Sequence, residues 1–308
     1  MAVTYPDLLN DITADHHSGA WEVARKAIQC VESLVQEEAG CSASQLSEKI
    51  FKISAAILKA QPGMAQLANF FNTIFNTIDA ETSGDAIVLS RKIVGDVRRF
   101  RELATNAVDK VAEYGAELIE EDSQVLIHSN SSTIFETISK AANAGKTFQI
   151  LLTESRPIAE GKVCAAKLAK IGVTGTFFVD AAVSKAVERA DLILLGADTL
   201  SEISLVNKIG TLAICLLARE MMVPCYSSCE SSKFVPQKLI PRREPVRDSL
   251  EVWQNPPEGI SIDSYYFDEI ALELFSGIIT EEGILSYQEI GGKILSEKMN
   301  KRLIEILR

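Results

Sequence analysis

Six hydrogen-bonding residues in succession, His128-Ser129-Asn130-Ser131-Ser132-Thr133, close a short apolar run at 124–128 and open a helical pattern. Backbone N–H groups and the positive dipole end of a helix make such a place a natural seat for phosphate. Plain capping accounts for one of these residues well and for four of them poorly. A second run, 148–152, leads into Thr153-Glu154-Ser155-Arg156-Pro157 and then Glu160-Gly161-Lys162. An arginine here suits bidentate phosphate recognition, with Glu154 close enough in sequence to neutralise it. A third run, 176–179, ends at Asp180, and a fourth, 191–196, delivers Gly196-Ala197-Asp198. Asn207-Lys208-Ile209-Gly210-Thr211 then stands at the expected start of another helix. These groups mix cationic and neutral donors with anionic acceptors. They fit an anionic, hydroxylated small molecule such as a sugar phosphate better than an apolar ligand.

The elements that must position them change character near residue 123. Before it, Trp21, Ala24, Ile28, Val31 and Val35 step by three or four, and Ile50, Ile53 and Ile57 repeat the stripe. Both patterns predict amphipathic helices. A turn at Gln61-Pro62-Gly63-Met64 separates them from a helical run at 67–78, and a segment of nearly forty residues starts at Ser83-Gly84-Asp85 without a proline. Residues 1–122 are therefore expected to form an all-helical domain. After 123, apolar runs at 124–128, 148–152, 176–179, 191–196 and 223–226 alternate with helical patterns at 132–144, 159–171, 181–189 and 206–221. That alternation predicts a parallel sheet covered on both faces, over a domain 123–308. Ligands of such sheets sit at the carboxyl ends of the strands, where the polar clusters fall. The proline-rich stretch 233–263 reads as a long arm, and a terminal helix is expected from about 288.

The chain has 308 residues and a formal charge of −11, with 31 basic against 42 acidic side chains. This balance excludes a general nucleic-acid or anionic-membrane binder, which needs a basic face. Apolar residues at 47% and charged residues at 24% exclude disorder and disulfide scaffolds. No secretory leader is expected from the first ten residues, and the longest uncharged stretch, 60–78, is too polar to span a membrane. Six cysteines without framework spacing predict reduced thiols and a cytoplasmic protein. Gly145-Lys146-Thr147 fails as a P-loop, because Lys140 stands where its first glycine belongs and a helix precedes it. No GxGxxG supports a dinucleotide site, and Cys225 and Cys229 lack zinc-ligand partners. No cofactor and no metal is expected.

Seven segments in order resemble the initiation factor 2B alpha/beta/delta family, which includes ribose-1,5-bisphosphate and methylthioribose-1-phosphate isomerases. They are HSNSST at 128–133, TESRPIAEGK at 153–162, VDAAV at 179–183, GAD at 196–198, NKIGT at 207–211, SKF at 232–234 and ITEEG at 279–283. His17-Ser18-Gly19-Ala20 and Pro62-Gly63-Met64-Ala65 are similar to the family's N-terminal segments. The resemblance implies an α/β architecture, an N-terminal helical domain followed by a Rossmann-like parallel-sheet domain that pairs into dimers and in some members hexamers. It further implies ligand contacts from His17, Gly19, Ala20, His128, Ser131, Arg156, Asn207, Lys208 and Lys233. An initiation factor 2 subunit is implied as a protein partner.

The isomerases of this family resemble one another in a Cys and an Asp that move hydrogen between C1 and C2 of an opened sugar phosphate. The Asp aligns with Asp198. The Cys position holds Ser129. A thiol ionises near neutral pH when local fields help it, whereas a serine hydroxyl stays protonated without a strong base. The expectation is therefore a regulatory protein, similar to the alpha subunit, that binds a sugar phosphate or nucleotide. The alternative is a ribose-1,5-bisphosphate isomerase with Asp198 as acid/base and Ser129 orienting the sugar. A structural oligomer with an empty rim is the third reading, opposed by the cost of burying so many polar groups without a partner.

Overall fold

A computed structural model describes residues 3–15, 20–38, 40–240, 248–296 and 298–307. The helical half opens with α1 (Tyr5–Ala14), α2 (Ala20–Glu37), α3 (Ala43–Ala60), α4 (Ala65–Ala80) and α5 (Ala86–Glu117). Their boundaries follow local chemistry: Ser42 and Gln45 form a reciprocal capping box at α3, and Asp85 caps α5 through the amides of Ile87 and Val88. Helix α1 lacks the long apolar stripe that marks its neighbours, burying Ile12 alone, and sequence periodicity does not announce it. Phe70, Phe71 and Phe75 of α4 fill the centre of this half with Ile28, Leu34, Ile50 and Ile93.

At 32 residues α5 is about 48 Å long. It joins two cores. Leu89, Ile93 and Val97 belong to the helical one, while Val111 and Ala116 pack under the sheet.

The second half runs β1 (Ser123–Ile127), α6 (Ser132–Asn143), β2 (Phe148–Thr153), α7 (Glu160–Lys170), β3 (Gly175–Phe178), α8 (Val183–Arg189) and β4 (Leu192–Leu195). It continues with β5 (Thr199–Leu200), β6 (Ser204–Lys208), α9 (Thr211–Met221), β7 (Cys225–Ser228), β8 (Phe267–Ala271), β9 (Gly277–Thr280), β10 (Gly283–Leu285), α10 (Tyr287–Leu295) and α11 (Lys301–Leu307). The main sheet has the order β10-β9-β7-β4-β1-β2-β3 and is parallel except for β10. A small antiparallel sheet, β5-β6-β8, stands beside it. From β1 the chain winds outward to β3 and then returns to lay β4 on the other side of β1. The order of strands therefore reverses between β1 and β4, where open α/β sheets hold their ligands.

The expected helix 206–221 is corrected at its start. Residues 204–208 are strand β6, paired with β5 and β8, and the helix begins at Thr211. Leu205 is buried in the second half's core, and Asp268 from β8 caps α9 by accepting from the amides of Gly210 and Leu212. The chain also returns to its beginning. Leu303 of α11 is part of the helical core, and Asn300 and Arg302 bond to Asp79. The arm at 233–263 carries 3-10 turns but no strand or α-helix among its described residues. No helix among the described residues is long and apolar enough to cross a membrane.

Candidate functional site

The turns after β1 and β4 meet at the reversal of strand order. A side chain on Gly196 would stand 2.8 Å from Ser131, so glycine is what lets the two turns close on each other. Ser131 caps α6, accepting from the amide of Ile134 at 3.3 Å. Asn207 stands beside Gly196 and donates to the Thr211 hydroxyl at 3.0 Å. The Asp198 amide donates to Val206 at 2.9 Å, which ties the acid to β6.

His128 is buried and fully engaged. Its Nε2 donates to the carbonyl of Ile209 at 2.8 Å, because that oxygen only accepts, and its Nδ1 accepts from Thr153 Oγ1. Burial lowers its pKa, against the bond to Ile209 and the charges of Asp180 and Glu160. The neutral ring is thus a strut between the ends of β1, β2 and β6, with no nitrogen left for a ligand.

The loop after β2 is shaped by close contacts. Ser155 and Arg156 donate their amides to the two carboxylate oxygens of Asp180, each at 2.8 Å. A Cβ on Gly161 would lie 1.9 Å from the Thr153 carbonyl, so the start of α7 admits glycine alone there. Of the five non-glycine residues with left-handed backbone among the described ones, Ser129, Ser155 and Ala159 lie on this rim. Such conformations persist only where the surroundings impose them, and they gather at functional sites.

Ser129 donates through Oγ to Glu160 Oε2 at 3.1 Å, and its amide donates to Ser155 Oγ at 2.9 Å. The same Glu160 oxygen pairs with Lys208 Nζ at 2.7 Å. On its other side the Lys208 ammonium lies 4.8 Å from the Tyr266 ring centre, a cation–π contact. Lys233 is buried and pairs with buried Glu230 at 3.0 Å, and Thr133 donates to the second oxygen of Glu230 at 3.5 Å. Burial by itself would depress the Lys233 ammonium, but Glu230, Cys229 and Asp198 outweigh it and hold its pKa above the usual value. Asp198 shares this field. Burial pushes its carboxyl up to about 6, with Glu160 and Glu230 adding to the shift and Lys233 and Lys208 opposing it.

The structure thus brings Ser129, Asp198, Asn207, Lys208 and Lys233 to one rim, with His128 and Ser131 as its frame. Arg156 is exposed and turned to the arm, donating to the carbonyls of Glu251 at 2.8 Å and Val252 at 3.3 Å. Ala20 is the buried first residue of α2, while His17 and Gly19 lie outside the described residues. Neither Cys164 nor Cys229 replaces the expected thiolate. Burial raises Cys164 to about 11 and Cys229 well above the ordinary thiol value. Glu281 of the ITEEG segment accepts from the amide and hydroxyl of Ser231 and so anchors the turn that carries Lys233. Helix α4 reaches the same turn: Asn69 donates to the carbonyls of Ser232 and Phe234, and Gln66 to the Ser232 hydroxyl.

Glu230 and Tyr266 were not singled out from the sequence, and Glu160 was noted after the second run without a role. Glu160 had a usable signal in the glycine that follows it; Tyr266 had none, since nothing local ties residue 266 to residue 208.

Comparison with known proteins agrees with this fold. The model of the Initiation factor 2 subunit family matches residues 16–287. The chain is 26% identical over 275 residues to a ribose 1,5-bisphosphate isomerase of Methanocaldococcus jannaschii, covering 88% of this chain and 87% of that one. It is 30% identical over 281 residues to a putative translation initiation factor eIF-2B subunit 2-like protein of Pyrococcus furiosus, covering 90% and 95%. The solved eIF-2B of Pyrococcus horikoshii superposes with a TM-score of 0.78 at 26% identity, covering 91% of this chain and 96% of that one. With the fold, the ordered rim segments and a match over most of its length in agreement, the chain belongs to the initiation factor 2 subunit family.

Proposed function

We propose that the chain binds a phosphorylated sugar or nucleotide at the carboxyl rim of its parallel sheet, in a regulatory, translation-initiation-related role like that of the initiation factor 2B alpha subunit. One observation carries this reading. A serine stands where the isomerases resemble one another in a cysteine, and its hydroxyl is engaged by Glu160, with Lys208 on the same carboxylate oxygen. A hydroxyl donating to an ion-paired carboxylate does not ionise near neutral pH, so half of the hydrogen-shuttling pair is absent. Domains 1–122 and 123–308 would serve partner contact and ligand binding respectively. A homo-dimer or hexamer, cytoplasmic and associated with an initiation factor 2 subunit, is the assembly that accompanies this role. Thermal melting tests it: ribose 5-phosphate, ribose 1,5-bisphosphate or AMP is expected to raise the melting temperature without being consumed, and a melt unmoved by all three contradicts it.

The second reading is a ribose-1,5-bisphosphate isomerase, and Asp198 favours it. A carboxyl titrating near 6 is poised for proton transfer at neutral pH, and relatives named for that activity match the chain along most of its length. Turnover abolished by Asp198→Asn is its signature.

A further inference from the structure

We infer that Glu160 makes the Lys208 end of the rim a seat for sugar hydroxyls and excludes a second phosphate, so that the ligand is a sugar carrying one phosphate. This inference rests on the sugar-phosphate reading above and narrows it. The cation that an anionic group would need at this end is already taken. Lys208 Nζ lies 2.7 Å from Glu160 Oε2, its side chain is 5% exposed, and the Tyr266 ring covers its other side. Ser129 spends its hydroxyl on the same oxygen and its amide on Ser155. Arg156 is turned outward to the arm.

The charges agree. Glu160, Asp198 and Glu230 face Lys208 and Lys233, three formal negatives against two positives. Farther out, Asp180 is spent on the amides of Ser155 and Arg156, Glu281 on Ser231, and the exposed Lys167 ammonium on Asn130 at 3.2 Å, so the buried cluster itself keeps its negative excess. A phosphate placed between Glu160 and Asp198 meets like charge in a half-buried site. Hydroxyls meet acceptors instead. Among the described residues, no hydrogen bond is made to Glu160 Oε1 or to either carboxylate oxygen of Asp198, and a carboxylate accepts from sugar hydroxyls through charge-assisted bonds.

Calorimetric titration of the full chain and of Glu160→Gln with ribose 5-phosphate and ribose 1,5-bisphosphate tests this. The wild type is expected to bind the monophosphate about tenfold more tightly than the bisphosphate. Glu160→Gln, which keeps the shape and removes the charge, is expected to shift that ratio about tenfold toward the bisphosphate. A wild type that prefers the bisphosphate overturns the inference while leaving the sugar-phosphate reading intact, and needs no variant to do so. A folded Glu160→Gln with the wild-type ratio also overturns it. No binding of either sugar by the wild type overturns the reading and the inference together.

Discussion

Ser129 and Lys208, one after β1 and the other at the end of β6, meet on a single oxygen of Glu160, at 3.1 and 2.7 Å. Residues 79 positions apart are thereby joined across the point where the strand order reverses, counting 208 − 129. The carboxylate that joins them comes from a third element, the first turn of α7. A ligand at this rim touches a network that is already paired, so binding and stability are coupled.

That coupling is measurable. Lys208→Met leaves Glu160 without its cation in a largely desolvated place, and is expected to cost roughly 3 kcal/mol in urea unfolding. The double variant Lys208→Met with Glu160→Gln removes both charges and is expected to recover most of the loss. Additive losses would show that the two residues do not act as a pair.

Asp198 gives a pH signature. Its folded pKa of about 6 lies above the ordinary 3.8, so the folded state holds the proton more tightly than the unfolded one. The group costs nothing below pH 3.8, destabilises increasingly as pH rises to about 6, and exerts its full effect above that. Asp198→Asn removes the charge. It is expected to be more stable than the wild type by up to about 3 kcal/mol at pH 7, with the difference gone near pH 4. Equal stabilities at pH 7 would show that burial does not penalise this carboxylate.

Two glycines separate shape from flexibility. Gly161→Ala forces a methyl group against the Thr153 carbonyl and is expected to lose more than about 3 kcal/mol, together with ligand binding. Gly95, exposed in the middle of α5 with nothing within 4 Å of its would-be Cβ, is the contrast. Gly95→Ala is expected to gain about 0.5–1 kcal/mol through helix propensity. Chemical denaturation of both variants checks the pair.

Arg156 fastens the arm rather than the inner rim. Arg156→Ala removes its bonds to the carbonyls of Glu251 and Val252, next to half-exposed Trp253. Indole emission is expected to shift to the red, while the melting temperature moves by only a few degrees, since exposed contacts contribute little. An unchanged spectrum would mean that the arm is held elsewhere.

Much of this was legible in the residues. The change of period near 123 located the end of the helical half, since α5 ends at Glu117 and β1 starts at Ser123. The centre of the run 191–196, Leu192–Leu195, is apolar throughout because β4 is buried on both faces, and that is how a central parallel strand announces itself. Ser204–Lys208 escaped because its alternation is brief, its local partner β5 has two residues, and its other partner, β8, lies some sixty residues on. His128 looked like chemistry and is a strut, a distinction set by Thr153 and Ile209 arriving from other elements. Arg156 follows β2 as the run at 148–152 implied, but the direction of its guanidinium depends on an arm whose course no local pattern encodes. The role of Glu160 escaped for the same reason: its partners Ser129 and Lys208 are remote in sequence.

The central claim is that the rim binds a phosphorylated sugar without transforming it. An NMR time course of purified protein with ribose 1,5-bisphosphate, with and without AMP, tests it most directly, with Asp198→Asn as the control. The spectrum of the sugar is expected to stay unchanged, while ribose 5-phosphate raises the melting temperature of the same sample. Ribulose 1,5-bisphosphate accumulating above the Asp198→Asn control would contradict the claim and make the chain an isomerase that works with a serine at 129.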